Sequence, residues 1–295
     1  MRNLIFPLAI FLIIKSNIYG NRNAFTSPSC FSMGGAGSLF LSANAQIKNP
    51  AVFNKSRSIT TSIVTYPASI SSQGLNFNFP LDNIVYSSSF KHISYGVFKG
   101  YNENGEDIGS YRSNETWVDG YLSKAMNSYP IFLGSSVSLK SANFGSLNIK
   151  TFSSSIGSVW YFKNKNNAVG FSLNQIGFKL TNQQLSYIKP SFILGGSKKL
   201  NYLPAIIYFD FLIEKEHMTE FFMGTCFSLN KNMKILMGSS TRKIDQNTSQ
   251  TLFKSILGAT GFGLIYDFNQ ILVQYGFYYY GVGIRVDGLS IGIRF

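Results

Sequence analysis

From about residue 57 to the carboxyl terminus, bulky apolar side chains alternate with small or polar ones at a period of two. That is the spacing of side chains pointing to opposite faces of a β-strand. In the last segment Leu289, Ile291, Ile293 and Phe295 share one face, and Gly288, Ser290, Gly292 and Arg294 the other. Ile271, Val273, Tyr275, Phe277 and Tyr279 repeat the pattern opposite Gln274 and Gly276. So do Ile131, Leu133, Val137 and Leu139 against Gly134, Ser136, Ser138 and Lys140. Further matches are Val169, Phe171 and Leu173, then Phe221, Met223, Thr225 and Phe227, with a shorter one in Ile93, Tyr95 and Val97. Polar clusters punctuate these runs at Lys163 to Asn167, Gly195 to Lys199, Asn230 to Lys234, Thr241 to Gln250 and Asp267 to Gln270, which predicts connections there. At about 10 residues per tilted membrane strand and about 7 per connection, residues 57–295 hold roughly 14 strands.

Which face is bulky decides the fold class. In a water-soluble sandwich the bulky face packs inward and the outer face is charged. Here the second face is mostly Gly, Ser, Thr and Asn, which suits a lumen filled by small polar groups while the bulky face meets lipid. Composition agrees: 13% of the 295 residues are charged against 45% hydrophobic, with 27 Phe, 17 Tyr and 27 Gly. Soluble domains carry about 25% charge, and a helical membrane protein needs runs of about 20 apolar residues that this chain lacks. The expected fold is all-β, a transmembrane antiparallel β-barrel. Tyr278, Tyr279, Tyr280, Trp160, Tyr161 and Phe162 fit interfacial aromatic girdles, with ordinary core aromatics as the alternative.

The amino terminus has the layout of a secretory signal. Arg2 precedes an apolar run from Leu4 to Ile14, broken by Lys15, Ser16 and Asn17. Cleavage after Gly20 lowers the net charge from +13 by two, to +11; a buried terminal helix or strand is the alternative. The organisation expected is a signal peptide over 1–20, a plug or hatch segment over 21–56 and the barrel over 57–295. Cys30 and Cys226 are the only cysteines, and an exported chain could leave them free or join them.

Candidate chemistry is sparse. His92 and His217 are the only histidines, and Glu214 to Glu220 reads as a solvated loop. No nucleophile elbow, His-Glu-x-x-His or phosphate loop is present, and Asp82, Asp119, Asp210 and Asp267 are scattered. No enzyme, cofactor or metal site is expected. The basic residues are dispersed, as in Lys198-Lys199 and Arg242-Lys243, without the aromatic-interleaved stripe that nucleic acid requires. Basic connections beside anionic headgroups are the simpler account. The stretch Glu103 to Asp107 reads as a loop on one rim.

The two ends carry a resemblance. Phe31-Ser32-Met33-Gly34-Gly35-Ala36-Gly37, followed by Asn49-Pro50-Ala51, resembles the opening of the FadL-like outer-membrane barrels, and more closely the PorV/PorQ group of that superfamily. Leu173 to Lys179 is similar to that group's Asn-Ile-Gly-Tyr-Lys strand, and a Pro190-containing strand with Gly195 and Gly196 follows, as in the group. The stretch Ser42 to Gln46 lacks the acidic residues common there. Independently, the Gly and Ala run permits close backbone approach and positive φ, while Pro50 cannot donate to a ladder and holds Asn49 extended. Gly34, Gly35, Ala36, Gly37, Asn49, Pro50 and Ala51 are therefore the expected plug motif, a plain lead-in strand being the alternative. Phe295, ending the apolar face of the last strand, matches the signal that barrel-assembly machinery reads in such proteins. The resemblance implies an outer-membrane protein, in contact with lipid, that is accessory to type IX protein secretion or surface attachment through secretion components or exported proteins. The wider superfamily implies instead passive transport of a hydrophobic ligand, and a barrel with neither activity is a third possibility.

Overall fold

A computed structural model describes residues 27–40, 48–52, 56–101, 106–126, 129–145, 147–162, 167–214, 219–241, 258–280 and 284–295. The expected signal peptide, the 42–46 stretch, most of 103–107, 215–218 and 242–250 lie outside them. A short helix, α1 (Pro28–Ser32), precedes fifteen strands. These are β1 (Ser58–Thr65), β2 (Ser71–Leu81), β3 (Ile84–Tyr101), β4 (Asp107–Ala125), β5 (Ile131–Phe144), β6 (Leu147–Tyr161), β7 (Ala168–Thr181) and β8 (Gln184–Ile188). They continue with β9 (Ser191–Lys199), β10 (Ala205–Glu214), β11 (Glu220–Ser228), β12 (Met233–Ser240), β13 (Thr260–Phe268), β14 (Ile271–Tyr279) and β15 (Arg285–Arg294).

Each strand pairs antiparallel with its neighbour in sequence except where β7 passes β8 to pair with β9, and β1 closes on β15 from Ser58↔Arg294 to Thr65↔Asp287. The result is a closed ring of 14 strands with β8 outside it, as the period-two pattern and strand arithmetic predict. Closure is the only way a sheet can leave no unpaired edge in hydrocarbon.

Burial is inverted relative to a water-soluble protein. Along β1, Ser58, Thr60, Ser62 and Val64 are buried while Ile59 and Ile63 lie on the outside. Along β15, Val286 and Ser290 face in, and Leu289, Ile291 and Ile293 face out, Ile293 at 54% exposure. Leaving such side chains in water forfeits about 1.5–3 kcal/mol each, so the solvent they fit is lipid.

The rim that holds Ser58 and Arg294 has short connections, including Asp82–Asn83 and Asn269–Gln270, as the periplasmic rim of such barrels does. Trp160 stacks on Phe162 and Tyr266 on Phe268 on the outside at this rim. Phe295 ends beside the start of β1, its N–H donating to the Arg57 carbonyl at 3.1 Å. On the far side β3 to β7 run 14 to 19 residues, against 8 to 10 for β9 to β15. A membrane strand needs about 9–11, so one side of the wall stands well above the other.

Three local expectations are corrected. Gly195 to Lys199 is not a connection but the end of β9; its glycines make room for neighbouring groups rather than a turn. Ile93, Tyr95 and Val97 do not share a face, because a bulge between Ser94 and Gly96, with Gly96 at φ +100°, shifts the register. Ile93 is buried inside and Val97 is 60% exposed. Tyr278 belongs to no girdle: it is fully buried in the lumen, edge-on to Tyr280 at 4.8 Å.

Substituting Ile291 with Lys should cost about 2–4 kcal/mol of folding stability in lipid vesicles, by urea titration, because it places a charge on the lipid face. Ile291→Leu should stay within about 1.5 kcal/mol.

Candidate functional site

The described part of the amino-terminal segment lies inside the ring and is buried almost throughout. Pro28 opens α1, where its missing N–H costs nothing, and the Ser32 hydroxyl donates back to the Pro28 carbonyl at 2.6 Å. The helix stops at Met33 because Gly34 and Gly35 take positive φ, +66° and +99°, a region open to Gly at little cost. The Gly35 N–H donates to the Cys30 carbonyl at 3.0 Å, turning the chain across the lumen.

What receives this segment is a belt of inward-facing glycines on nine ring strands. Gly261 and Gly263 of β13, Gly276 of β14 and Gly288 of β15 lie against Phe31, Ser32 and Pro28; Gly238 of β12 and Gly224 of β11 lie against Met33. Gly195 of β9 meets Ser38, Gly170 of β7 meets Leu39, Gly157 of β6 meets Asn49 and Gly134 of β5 meets the Pro50 carbonyl. Many are cross-strand partners, including Gly134↔Gly157, Gly170↔Gly195, Gly224↔Gly238↔Gly261 and Gly263↔Gly276↔Gly288. A methyl group at any of these positions would overlap the segment or the wall itself. The wall gives up side chains where the plug's backbone presses against it.

On β10 the belt is replaced by Asp210, 1% exposed. One of its carboxylate oxygens accepts the Gly37 and Ser38 N–H groups at 2.9 Å each, and the other accepts the Ser38 hydroxyl. Two successive N–H groups form an anion-binding nest, so Asp210 fixes the chain just past the glycines.

The Asn-Pro-Ala stretch docks on β6 and β7, two to three strands along the ring from β10. Asn49, 1% exposed, donates to the Ser158 and Phe171 carbonyls of β6 and β7 at 3.1 and 3.2 Å, and its side-chain oxygen accepts the Ala51 N–H at 2.9 Å. The Lys48 carbonyl accepts from Ser172 and Asn174 at 3.0 and 3.1 Å. The Lys48 ammonium donates to the Gly35 carbonyl and sits 4.6 Å from the centre of the Phe222 ring. Lys48 thus ties the two halves of the segment together.

Each expected motif residue therefore has a defined place. Gly34 and Gly35 make the turn, Ala36 packs on Gly224, Gly37 donates to Asp210, Asn49 bonds the wall, and Pro50 and Ala51 lie at Gly134 and Ser123. Gly37 itself needs no extra room, since a methyl there would meet only the tip of Met33 at 3.8 Å. Cys30 and Cys226 are buried and not joined in a disulfide. Cys30 and Phe31 pack with Val64, Tyr278 and Val286, and Tyr66 and Tyr280 lie against that cluster. Burial, reinforced by Tyr280, raises the Tyr66 pKa and keeps the phenol neutral.

The sequence reading misses the roles of Asp210 and Lys48, and it places Gly134, Gly276 and Gly288 on the lumen face without assigning them the seating of the plug. Glycine recurring on the polar face of successive strands was the available signal; nothing distinguished Asp210 from other aspartates. A second group missed is the charged inner face of β3, β4 and β5. Asp119 accepts from Lys91 at 3.0 Å, from Ser89 at 2.8 Å and from Ser138 at 2.5 Å. Glu115 pairs with Lys140 at 2.8 Å, and that ammonium lies 4.8 Å from the Trp117 ring centre. Among the described residues no three of His, Cys, Asp and Glu gather as a metal site.

The architecture is that of solved hydrocarbon channels and their relatives. The Pseudomonas putida toluene transporter TodX superposes with a TM-score of 0.58 over 92% of this chain and 99% of its own, at 13% identity. A TodX deltaS2S3 mutant, described as a monoaromatic hydrocarbon channel, gives 0.56 at 12% identity, with 92% and 99% of the two chains covered. A Pseudomonas aeruginosa FadL homologue gives 0.53 at 11% identity, covering 92% and 98%. No family model matches the sequence, and no curated protein does. The likeness is one of fold, and with the lipid-facing exterior it identifies an outer-membrane β-barrel.

Gly34→Ala should undock the plug, because it adds a methyl against the Ser239 backbone at a positive φ, whereas Gly37→Ala should leave it seated. Asp210→Ala, stranding two buried N–H groups, should cost about 1–3 kcal/mol. Amide exchange over residues 27–40 in lipid nanodiscs should quicken for Gly34→Ala and Asp210→Ala and stay unchanged for Gly37→Ala.

Proposed function

We propose that this protein is a plugged barrel of the PorV/PorQ kind, accessory to type IX secretion or to attachment of exported proteins at the cell surface. It works as a closed scaffold that contacts other proteins and performs no catalysis. The observation that carries this reading is the fit of the plug: it meets wall backbone on nine ring strands. Register breaks fall only in the β3–β4 and β6–β7 ladders among the described residues, and the ladders joining β1, β2 and β3 and those from β9 round to β15 have none. A scaffold needs only a stable lumen and exposed surfaces, while a channel needs a path. The Met33–Gly37 and Asn49–Ala51 stretches, which carry the PorV/PorQ resemblance, are the plug's anchoring points. Phe295, outward on the last strand, serves as the assembly signal, and the exported chain resides in the outer membrane.

The second reading is passive transport of hydrophobic small molecules, favoured by the shared fold with TodX and the FadL homologue. It requires the plug to move. It also requires an apolar ligand to pass the Lys91–Asp119 and Glu115–Lys140 pairs, a face that gives hydrocarbon no advantage over lipid.

Deleting the gene should leave proteins bearing the type IX sorting domain unreleased in the periplasm, by surface protease shaving, with toluene uptake unchanged. Normal surface display with reduced uptake would transfer the assignment to transport. In planar bilayers the intact protein should give no steady conductance, and a variant lacking 27–52 should conduct.

A further inference from the structure

Among the described residues β8 is the one strand with a single neighbour. The lower half of β7, Ala168 to Asn174, pairs with β9, and its upper half, Gly177 to Thr181, pairs with β8. β8 and β9 are thus successive pieces of one line of chain, broken at Lys189–Pro190, where Pro190 has no N–H to give. On the next strand over, β10 accompanies β9 only as far as Glu214↔Ser191. Among the described residues β8 pairs with β7 alone, and its second edge stands directly beyond the end of β10.

Apart from its short length, the strand carries none of the usual protection among the described residues. Natural edge strands are blunted by charge, proline, bulges or cover. Gln184-Leu185-Ser186-Tyr187-Ile188 has no charge, proline or glycine, and its first four residues are exposed. Leu185 is 67% and Tyr187 88% exposed. Both point outward, opposite Leu180 and Phe178 of β7, with Phe152 of β6 beside Phe178 at 5.5 Å. A row of backbone donors and acceptors next to an exposed apolar face is the surface to which extended peptides add as a strand.

We infer that β8 is a docking edge for an extended segment of a different protein, which adds antiparallel to it in line with β10. The main chain supplies the hydrogen bonds, and apolar side chains at alternate positions cover Leu185 and Tyr187. A second copy of this chain does not fit. Antiparallel self-pairing needs a two-fold axis perpendicular to the wall, hence in the membrane plane, and would turn one barrel upside down. Parallel self-pairing about the membrane normal would set the two apolar faces on opposite sides. Closed symmetry between barrels inserted the same way up therefore excludes a continuous apolar face. The inference stands whichever role the plug serves.

The test uses the full mature protein in lipid nanodiscs, with amide exchange read at residues 184–188. The probe is a nine-residue peptide of alternating Val and Thr capped by Lys at both ends. Millimolar peptide should slow exchange about tenfold or more. A peptide N-methylated on alternate residues along its pairing edge should not, and the Leu185→Lys, Tyr187→Lys double variant should lose the effect. Exchange already slow without peptide would mean the chain covers its own edge and would overturn the inference. So would exchange that slows only as protein concentration rises, which indicates a second copy, or exchange that the peptide leaves unchanged. Tyr202→Lys, exposed at the opposite rim, should behave as wild type.

Discussion

In hydrocarbon an unpaired backbone N–H or C=O costs several kcal/mol, and the pairing of β1 with β15 removes that cost from the whole sheet at once. Everything else follows from closure. A closed ring has one inside and one outside, so the period-two alternation places most bulky residues on lipid and most small ones on the lumen, with Tyr278, Phe222 and Ile93 among the inward exceptions. Fourteen strands leave a lumen wider than serine and glycine can fill, and the amino-terminal segment occupies it. Where closure ends, above β10, β8 is left with an unpaired edge among the described residues.

Plug and wall fit by subtraction. Elsewhere a core is filled by large side chains interlocking. Here the wall supplies glycine, and the plug supplies main chain together with Phe31, Met33 and Leu39. Backbone-to-backbone approach leaves little for side chains to decide, so specificity rests on a few polar anchors: Asp210 on Gly37 and Ser38, and Asn49 on the carbonyls of β6 and β7. These anchors act on one arc of the wall, two to three strands apart, and Lys48 bridges the two halves of the plug. The ion pairs on β3, β4 and β5 keep the remaining inner face polar. In a barrel built this way the tall wall of β3 to β7 is the most prominent exposed feature.

The alternation in Leu289 to Phe295, in Ile271 to Tyr279 and in Ile131 to Lys140 determined the strands, their lipid-facing side and the approximate number of them, because period two is a local property of an extended chain. The glycine run at 34–37 and Asn49-Pro50-Ala51 marked the plug, because positive φ and a missing donor are also local. Tertiary structure decided what locality cannot carry. Ile93 continues the inward row of Val85 and Ser89, and the bulge at Gly96 turns Val97 outward, so the two do not share the face their spacing suggests. Gly195, which reads as a turn, is a strand position emptied for Ser38. Asp210 acquired its role from a segment 172 residues away in sequence. Among the described residues the second edge of β8 is unpaired because β10 is paired only as far as Glu214, a relation between two strands that no run of residues records.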